Sequence, residues 1–337
     1  TAALDDKRSM VDSRMRHYSR ERPMQLGIHA FTRGPTSTPA QLQAYAKGCE
    51  ALRYSYFGLN DHVVLTAQID SAYPYTKDGS WAGANDTACL DLLTVHAYIA
   101  AVTERIRLLT SVMVIPHRPA VLTAKMLTTL DVLAQGRLTV GTGVGWMCEE
   151  ITALSDVPFE KRGAVSREYL QAWRCLWTEP VASYQGEYVQ FENVIAEPKP
   201  IQRPGPPIWV GGEGPAARRR AATLGDGWYP VAANPQHPLN SPALFAAALA
   251  DVHARMDAAG RERTRLETAL FAPWARVGKP SMVDGQRMVF TGSRQAVADD
   301  IAAFDEAGVG TLVVAPAGDD VDEMLEHGAG FADIAGL

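Results

Sequence analysis

Two histidines lie in or directly after apolar runs of this chain, where an imidazole could take part in chemistry. Asp61 and His62 follow the apolar run 54–59. Because an imidazole changes its protonation near neutral pH, His62 is the first candidate for hydrogen bonding or proton transfer, with a strand-capping structural histidine as the alternative. His29 lies inside an earlier apolar run, so alternation makes it either a pocket residue or a core residue. The spacing of His, Asp and Glu residues fits no metal site.

The stretch 136–150, GRLTVGTGVGWMCEE, joins a β-branched segment to three closely spaced glycines and a tryptophan. Gly141, Gly143 and Gly145 remove the side chains that would keep a backbone away from a flat ligand or a phosphate, and Trp146 follows them. The stretch therefore predicts a strand whose end approaches a ligand. A strand that ends in a loose turn is the alternative.

The charged and reactive side chains near this stretch are given more ordinary roles. Glu149 and Glu150 could supply an acid, but adjacent glutamates at a helix start are more often surface residues that the helix dipole favours. Cys148 could be reactive, although a lone cysteine is more often inert. His117, between a proline and an arginine, is expected to shape a loop.

Two segments could bind an anion. Gly211, Gly212, Glu213 and a further glycine precede Pro215, so open backbone N–H groups and a helix start suit a phosphate there. The segment 291–294 is a competing anion site, since barrels often bind phosphate after their last strands, or it is an ordinary helix cap. The arginines at 218–220 are expected on a solvated helix face, with an anion site as the alternative.

Composition narrows the functional class. The chain has 337 residues, 47% apolar content and a net charge of -6, so no basic face for nucleic acid is expected. Its four cysteines lack CxxC spacing, which favours a reducing cytoplasm, and no apolar run is long enough to span a bilayer. We expect residues 1–23 to be a polar extension and 24–337 to be one domain that acts on a small molecule.

Eight predicted strands alternate with helices along residues 24–337. The strands lie at 24–30, 54–59, 106–115, 137–144, 208–210, 227–231, 266–277 and 311–315, and the helices at 39–52, 86–103, 119–133, 163–177, 215–224, 241–259 and 294–307 and after the last strand. This alternation predicts an α/β fold with a single (β/α)8 TIM barrel. A doubly wound sheet is disfavoured because no GxGxxG motif follows strand one. A segment at 183–194 predicts a small hairpin in an insertion, about 178–206, before strand five.

A barrel of this kind carries its active site at the carboxyl ends of its strands, so the residues there are the candidates. They are aromatic, glycine-rich and weakly polar, which favours a pocket for a large flat cofactor. Taken strand by strand, they are His29 and Phe31; Asp61 and His62; Ser111 and Val112; Thr142, Gly143, Val144 and Trp146; Gly211, Gly212 and Glu213; and Trp228, with Tyr229 next to it.

The order of these segments resembles the luciferase-like monooxygenase superfamily, in particular its branch of oxidoreductases that depend on the deazaflavin coenzyme F420. The resemblance rests on NDHVV at 60–64, YPYTKDG at 73–79, the segment 103–146, PKPIQRPGPPIWVGG at 198–212 and AATLGDGWYPV at 221–231. The same barrel accepts flavin mononucleotide (FMN), so the resemblance leaves both cofactors open.

The resemblance implies a role for each candidate residue. His62 and Trp146 would lie beside the reacting atoms, and Phe31 and Trp228 would contact the substrate. A cis peptide between Ser111 and Val112 would form a bulge behind the cofactor ring. The other cofactor contacts would be His29, Asp61, Thr142, Gly143 and Val144, with Gly211, Gly212 and Glu213 at the phosphate.

The function implied by the resemblance is hydride transfer between F420 and a small organic substrate, in a cytoplasmic homodimer. The alternatives are an FMN-dependent monooxygenase and, from another class, a non-catalytic barrel that binds a flavin. Two positions depart from the family pattern. Cys148 replaces a larger polar or basic residue, which puts a substrate contact there in doubt, and the turn 134–136 lacks the usual Ser-Gly-Gly.

Overall fold

Eight parallel strands close into a barrel in the structure, a computed structural model that describes residues 24–85 and 88–337. They are β1 Gln25–Ala30, β2 Tyr56–Leu59, β3 Arg107–Thr110, β4 Leu138–Gly143, β5 Ile208–Gly211, β6 Gly227–Tyr229, β7 Glu267–Ala272 and β8 Thr311–Val314. Each strand pairs with the next, and β8 pairs back with β1. The predicted TIM barrel is confirmed. The predicted extension at 1–23 lies outside the described residues, as do positions 86 and 87 of the predicted second helix.

Helices surround the barrel. They are α1 Pro39–Ala51, α2 Leu92–Val102, α3 Ala120–Leu133, α4 Cys148–Leu154, α5 Arg162–Thr178, α6 Pro215–Leu224, α7 Pro242–Ala258, α8 Arg294–Glu306 and α9 Val321–Ile334. Several begin where a side chain caps the first turn, because the first N–H groups of a helix lack partners within it. Ser293 caps α8 in this way, so the segment 291–294 serves as a helix cap. In the part of the chain that the structure describes, no helix has the length and apolarity needed to span a bilayer.

Two predicted strands are shorter than expected. The run 106–115 breaks after β3 and resumes as Met113–Val114, which pairs with the end of β4. The run 266–277 breaks after β7, and Arg276–Val277 pairs with Thr291–Gly292 in a separate small sheet. Continuous apolar sequence therefore overstated strand length at both places. The predicted hairpin before strand five is present, with Ala182–Gln185 antiparallel to Gln190–Val194.

Side chains on each barrel strand alternate between the barrel interior and the helix layer. The interior is filled by the buried cluster Tyr56, Leu109, Trp209, Tyr229, Ala269 and Val313. The larger core lies between the strands and the helices. Because these side chains pack the middle of the barrel, they leave no channel through it among the described residues.

Candidate active site

A cavity of about 770 Å³ lies at the carboxyl ends of the barrel strands. Its size is in the range of small-molecule and cofactor pockets. Twelve of the residues that the sequence predicts for the site line it: His29, Phe31, Asp61, His62, Ser111, Val112, Gly143, Val144, Trp146, Gly211, Gly212 and Glu213. The fold therefore brings together side chains that lie far apart in the sequence.

Two predicted site residues, Thr142 and Trp228, do not line the cavity. Strand alternation turns Thr142 away from it, and the Thr142 hydroxyl donates to the carbonyl of Trp209 at 3.1 Å. On β6, Tyr229 faces the barrel interior, so Trp228 must face the helices, where its indole stacks on Phe245. Trp228, which the sequence predicted as a substrate wall, therefore does not line the cavity, whereas Tyr229 does.

His62 forms a buried pair with Glu150, a residue that the sequence assigned to the surface. The Nδ1 atom of His62 lies 2.8 Å from Oε2 of Glu150, whose side chain is 1% exposed. The other carboxylate oxygen accepts from the backbone N–H groups of Val63 at 2.7 Å and Val64 at 3.3 Å. Burial alone would raise the pKa of Glu150, but the hydrogen bond from His62 and the nearby His117 outweigh burial and lower it. Glu150 is therefore a carboxylate that orients His62.

The start of α4 also holds the loop that follows β2. Glu149 accepts hydrogen bonds from the backbone of Asp70 and Ser71, and the Ser71 hydroxyl accepts from the N–H of Cys148. Cys148 is not among the residues that line the cavity. The pair of glutamates thus fixes this loop, a role that local sequence patterns do not reveal.

A second set of buried charges lies behind His62. Arg118 donates to both carboxylate oxygens of Asp61, at 2.8 and 3.0 Å, and to Asp91 at 2.7 Å. His117 lines the cavity and lies 3.8 Å from Asp61 and 3.9 Å from Glu150. Burial lowers the pKa of His117, although the two carboxylates oppose the change. Because Arg118 occupies both oxygens of Asp61, this carboxylate acts as part of the wall.

His29 is a neutral imidazole in the cavity wall. Burial lowers its pKa to about 3, although the nearby backbone of Ser111 opposes part of that change. Among the described residues, neither ring nitrogen has a hydrogen-bond partner of ordinary geometry. The ring centroid lies 4.9 Å from that of Phe271. His29 can therefore offer a hydrogen bond to a bound molecule, but it cannot hold a proton as an acid near pH 7.

Aromatic rings form one side of the cavity. Trp146 contacts Trp81 at 5.6 Å and Tyr73 at 5.1 Å between ring centroids, both edge to face. Trp81 in turn lies 4.7 Å from the ring of His62. Trp81 and Tyr73 come from the loop after β2, and the sequence prediction named neither as a site residue. The YPYTKDG segment, which contains Tyr73, was the available signal.

The loop between β5 and α6 forms the opposite side. Gly212 has a φ of 104°, a conformation that favours glycine, and a Cβ there would lie 2.8 Å from the Cβ of Ala217. The Trp228 indole donates to the Gly212 carbonyl at 3.0 Å, which fixes the loop from behind. Glu213 accepts hydrogen bonds from the N–H of Val231 and from Asn234, so protein groups hold its carboxylate within the cavity wall. The loop thus lines the cavity with the backbone of Gly211 and Gly212 and with a carboxylate that protein groups already bind.

Arg220, one of the arginines at 218–220, lines the cavity and is not part of a fully solvated face. Within the described residues it forms no ion pair, and its guanidinium donates to the Gly163 carbonyl at 3.5 Å. Burial, with help from two neighbouring arginines, lowers its pKa to about 10, so it remains charged at pH 7. The alternative of an anion site near this helix is therefore favoured.

These residues fit a flat cofactor that carries a phosphate. The uncompensated guanidinium of Arg220, the backbone at Gly211 and Gly212 and the N-terminus of α6 suit an anion. The absence of a side chain at Gly143 lets Val112 pack closely against it, because a Cβ there would lie 2.7 Å from Cγ2 of Val112. The peptide between Ser111 and Val112 is cis, as the resemblance implies.

The sequence matches one known protein family over most of its length. The family described as luciferase-like monooxygenase matches residues 24–276. The chain belongs to this family. The expected relation of the chain to that superfamily is thus confirmed, and the proteins similar to it include some named for each of the two cofactors.

Two relatives and one solved structure are similar to this chain. The protein Rv0953c of Mycobacterium tuberculosis is 34% identical over 293 residues, which cover 84% of this chain and 96% of the relative. An FMNH(2)-dependent dimethylsulfone monooxygenase of Pseudomonas putida is 35% identical over 136 residues, 40% of this chain and 37% of that enzyme. The structure of an F420-dependent secondary alcohol dehydrogenase with an F420-acetone adduct matches with a TM-score of 0.73 and 17% identity, over 93% of this chain and 98% of that one. The last similarity concerns the fold alone.

Proposed function

We propose that this protein is an F420-dependent oxidoreductase that transfers a hydride between the deazaflavin and a small organic substrate. The observation that carries the proposal is the buried His62–Glu150 pair in the cavity wall. Hydride transfer to or from a carbonyl carbon requires a proton at the carbonyl oxygen, and an imidazole fixed by a carboxylate is suited to hold it.

Different residues of the cavity would bind the cofactor and shield the substrate. When bound, the deazaflavin supplies the hydride donor or acceptor at its C5 atom. Gly211, Gly212 and Arg220 would hold the phosphate, while Val112 and Gly143 would support the ring. Trp146, with the other rings around it, would exclude water from the substrate.

The proton would be held on one atom of His62. A carboxylate only accepts hydrogen bonds, so Glu150 requires the hydrogen on Nδ1 of His62. This leaves Nε2 as the atom that accepts a proton from the substrate oxygen or returns one to it. His29 is excluded from this role because its pKa is lowered to about 3.

A reduced-FMN monooxygenase is the second candidate. It is favoured by the 35% identity, over 136 residues, with a protein named as an FMNH(2)-dependent monooxygenase. Titration of the purified protein with F420 and with FMN separates the two, because Trp81 and Trp146 line the cavity and their fluorescence should respond to either ligand. We expect tight binding of F420. Tight binding of FMN with no binding of F420 would overturn the proposal.

The third possibility is a barrel that binds a flavin without turnover. In that case the protein would bind the cofactor but show no turnover, so His62→Ala would have no turnover to lose. We expect instead that His62→Ala binds F420 as the wild type does and loses turnover by about 10²-fold to 10⁴-fold, the usual contribution of a positioned acid or base.

We also propose that the protein forms a homodimer through barrel helices. The exposed leucines of α3 support this, since Leu122 and Leu133 are 52% and 55% exposed. Light scattering during size exclusion measures the mass directly, and a monomer at all concentrations would contradict the proposal.

A further inference from the structure

Arg33, on the loop after β1, is a cation in the cavity wall that the proposed function leaves without a role. Its guanidinium carbon lies 5.0 Å from the ring centroid of Trp81 and 5.5 Å from that of Phe31. The buried Nη1 atom has no hydrogen-bond partner within residues 24–85 and 88–337. Aromatic rings thus cover the guanidinium, while part of its hydrogen-bonding edge stays unused.

The carboxylates of the cavity wall already form hydrogen bonds with other groups of the protein. Asp61 is bound by Arg118, Glu150 by His62 and two backbone N–H groups, and Glu213 by Asn234 and a backbone N–H. None of the three forms an ion pair with Arg33 among the described residues. A partly buried guanidinium without a counter-ion is unfavourable, so an anion from outside the protein would stabilise it.

Arg33 lies on the opposite side of the barrel from the loop that suits the cofactor phosphate. It follows β1, whereas Gly211 and Gly212 end β5, and four strand-to-strand steps separate β1 from β5 in either direction around the closed barrel. The two cationic regions therefore face each other across the cavity mouth. An anion at Arg33 would be different from the phosphate at Gly211 and Gly212.

The surroundings of Arg33 indicate what kind of molecule carries this anion. Trp81 contacts Arg33 on one side and lies 4.7 Å from the ring of His62 and 5.6 Å from the ring of Trp146. A ligand held by Arg33 would thus have its apolar part against tryptophans and near the imidazole. A planar guanidinium binds a carboxylate through two parallel hydrogen bonds.

We propose that Arg33 binds the carboxylate of the substrate, and that the substrates are small organic acids with an apolar or aromatic body. This assignment rests on the proposed function, because it identifies the substrate of that same site. It adds a substrate class that neither the family nor its named relatives specify.

Binding of phenylacetate and of its neutral analogue phenylacetamide tests the assignment without turnover. Titrations followed by tryptophan fluorescence should show phenylacetate binding about tenfold more tightly than the amide, since one charge-assisted hydrogen bond is worth about that factor or more. Arg33→Gln should remove this preference and leave the amide affinity unchanged, and Arg33→Lys should restore part of it. The exposed Arg105, near the amino end of β3, provides the charge-matched control Arg105→Gln, which should bind both probes as the wild type does.

Three results would overturn the assignment. Equal affinities for the acid and the amide would show that no anion site exists, and unchanged phenylacetate binding in Arg33→Gln would show that it lies elsewhere. If Arg33→Gln weakened F420 or FMN as strongly as phenylacetate, the anion would belong to the cofactor. Failure of the proposed function gives a different result, because the protein would then not bind F420 while the preference for phenylacetate and its loss in Arg33→Gln would remain measurable.

Discussion

Replacing Glu150 with glutamine changes the direction of one hydrogen bond at the centre of the site. Oε1 of Glu150 accepts from the N–H groups of Val63 and Val64, so the glutamine oxygen would keep that position. The amide nitrogen would then face Nδ1 of His62, which lies 2.8 Å from Oε2 in the wild type. Because an amide N–H donates, the neutral imidazole would move its hydrogen from Nδ1 to Nε2.

The size of the effect follows from the bond that is lost. A hydrogen bond to a charged group contributes about 1.5–3 kcal/mol, or about 10-fold to 150-fold in rate if it acts only in the transition state. The change of tautomer adds to this loss, because Nε2 can no longer accept a proton. In the serine-protease triad the corresponding carboxylate-to-amide change lowers kcat by about 10⁴-fold. We therefore expect Glu150→Gln to lower kcat by at least about 10²-fold while cofactor affinity stays constant.

The assay follows oxidation of reduced F420 by a panel of carbonyl acceptors, through the visible absorbance of the oxidised cofactor. Nitrogen NMR of labelled histidine reports the tautomer of His62 independently of turnover. Glu149→Gln is the matched control, because Glu149 binds the backbone of Asp70 and Ser71 and forms no hydrogen bond with His62. Wild-type turnover in Glu150→Gln, or an equal loss in Glu149→Gln, would refute this account of Glu150.

Glu150→Gln should also change how the unfolding free energy depends on pH. The folded-state pKa of Glu150 is below its usual value, because the hydrogen bond from His62 and the nearby His117 outweigh burial. A carboxyl whose pKa falls on folding stabilises the protein above its unfolded pKa of about 4.3, and that contribution is lost as the pH falls through the folded value. The difference in unfolding free energy between wild type and Glu150→Gln should therefore be largest near pH 7 and shrink below about pH 4. Urea titrations at several pH values measure it, and a difference that grew in acid would contradict the sign.

Two further predictions concern the loop after β5. Trp228→Phe keeps the contact with Phe245 but removes the hydrogen bond to the Gly212 carbonyl, so we expect cofactor affinity to fall by about fivefold, as about 1 kcal/mol implies, with little change in thermal stability. Arg220→Gln should weaken cofactor binding by about 10-fold to 150-fold, whereas the exposed neighbour Arg219→Gln should not, and fluorescence titration compares all three variants with the wild type.

Much of the fold could be predicted because the strands and helices of a barrel alternate regularly and each has a recognisable pattern of apolar residues. The apolar runs and the helix starts gave all eight strands in the right order, and the helix at 215–224 matches α6 residue for residue. Apolar runs do not show where a strand bends, which is why 106–115 and 266–277 were predicted as single strands. The short pairing of Arg276–Val277 with Thr291–Gly292 depends on contacts between distant residues, which periodicity does not record.

The site was harder to predict because its side chains come from distant parts of the sequence. His62 was found from its place after a strand, but its partner Glu150 lies 88 positions away and has the local context of a surface residue. Trp228 was misplaced by one residue, since neighbours on a strand face opposite sides and Tyr229 is the one that faces inward. Strand order thus identified the loops that meet at the site. Which side chain of each strand faces the cavity became clear only from the structure.

Net charge is the clearest case in which a property of the whole chain fails to describe its site. The chain carries a net charge of -6, yet Arg33 and Arg220 line the cavity without an ion pair in the part of the sequence that the structure describes. Asp61 and Glu213 in the same wall are bound by Arg118 and by the N–H of Val231, so neither carboxylate neutralises these two arginines. Such a cavity attracts anionic ligands in preference to neutral ones, and its attraction should weaken as salt is added. An excess of acidic residues therefore argues against a partner that binds over a broad basic surface, but it leaves open an anionic small molecule held by a few arginines.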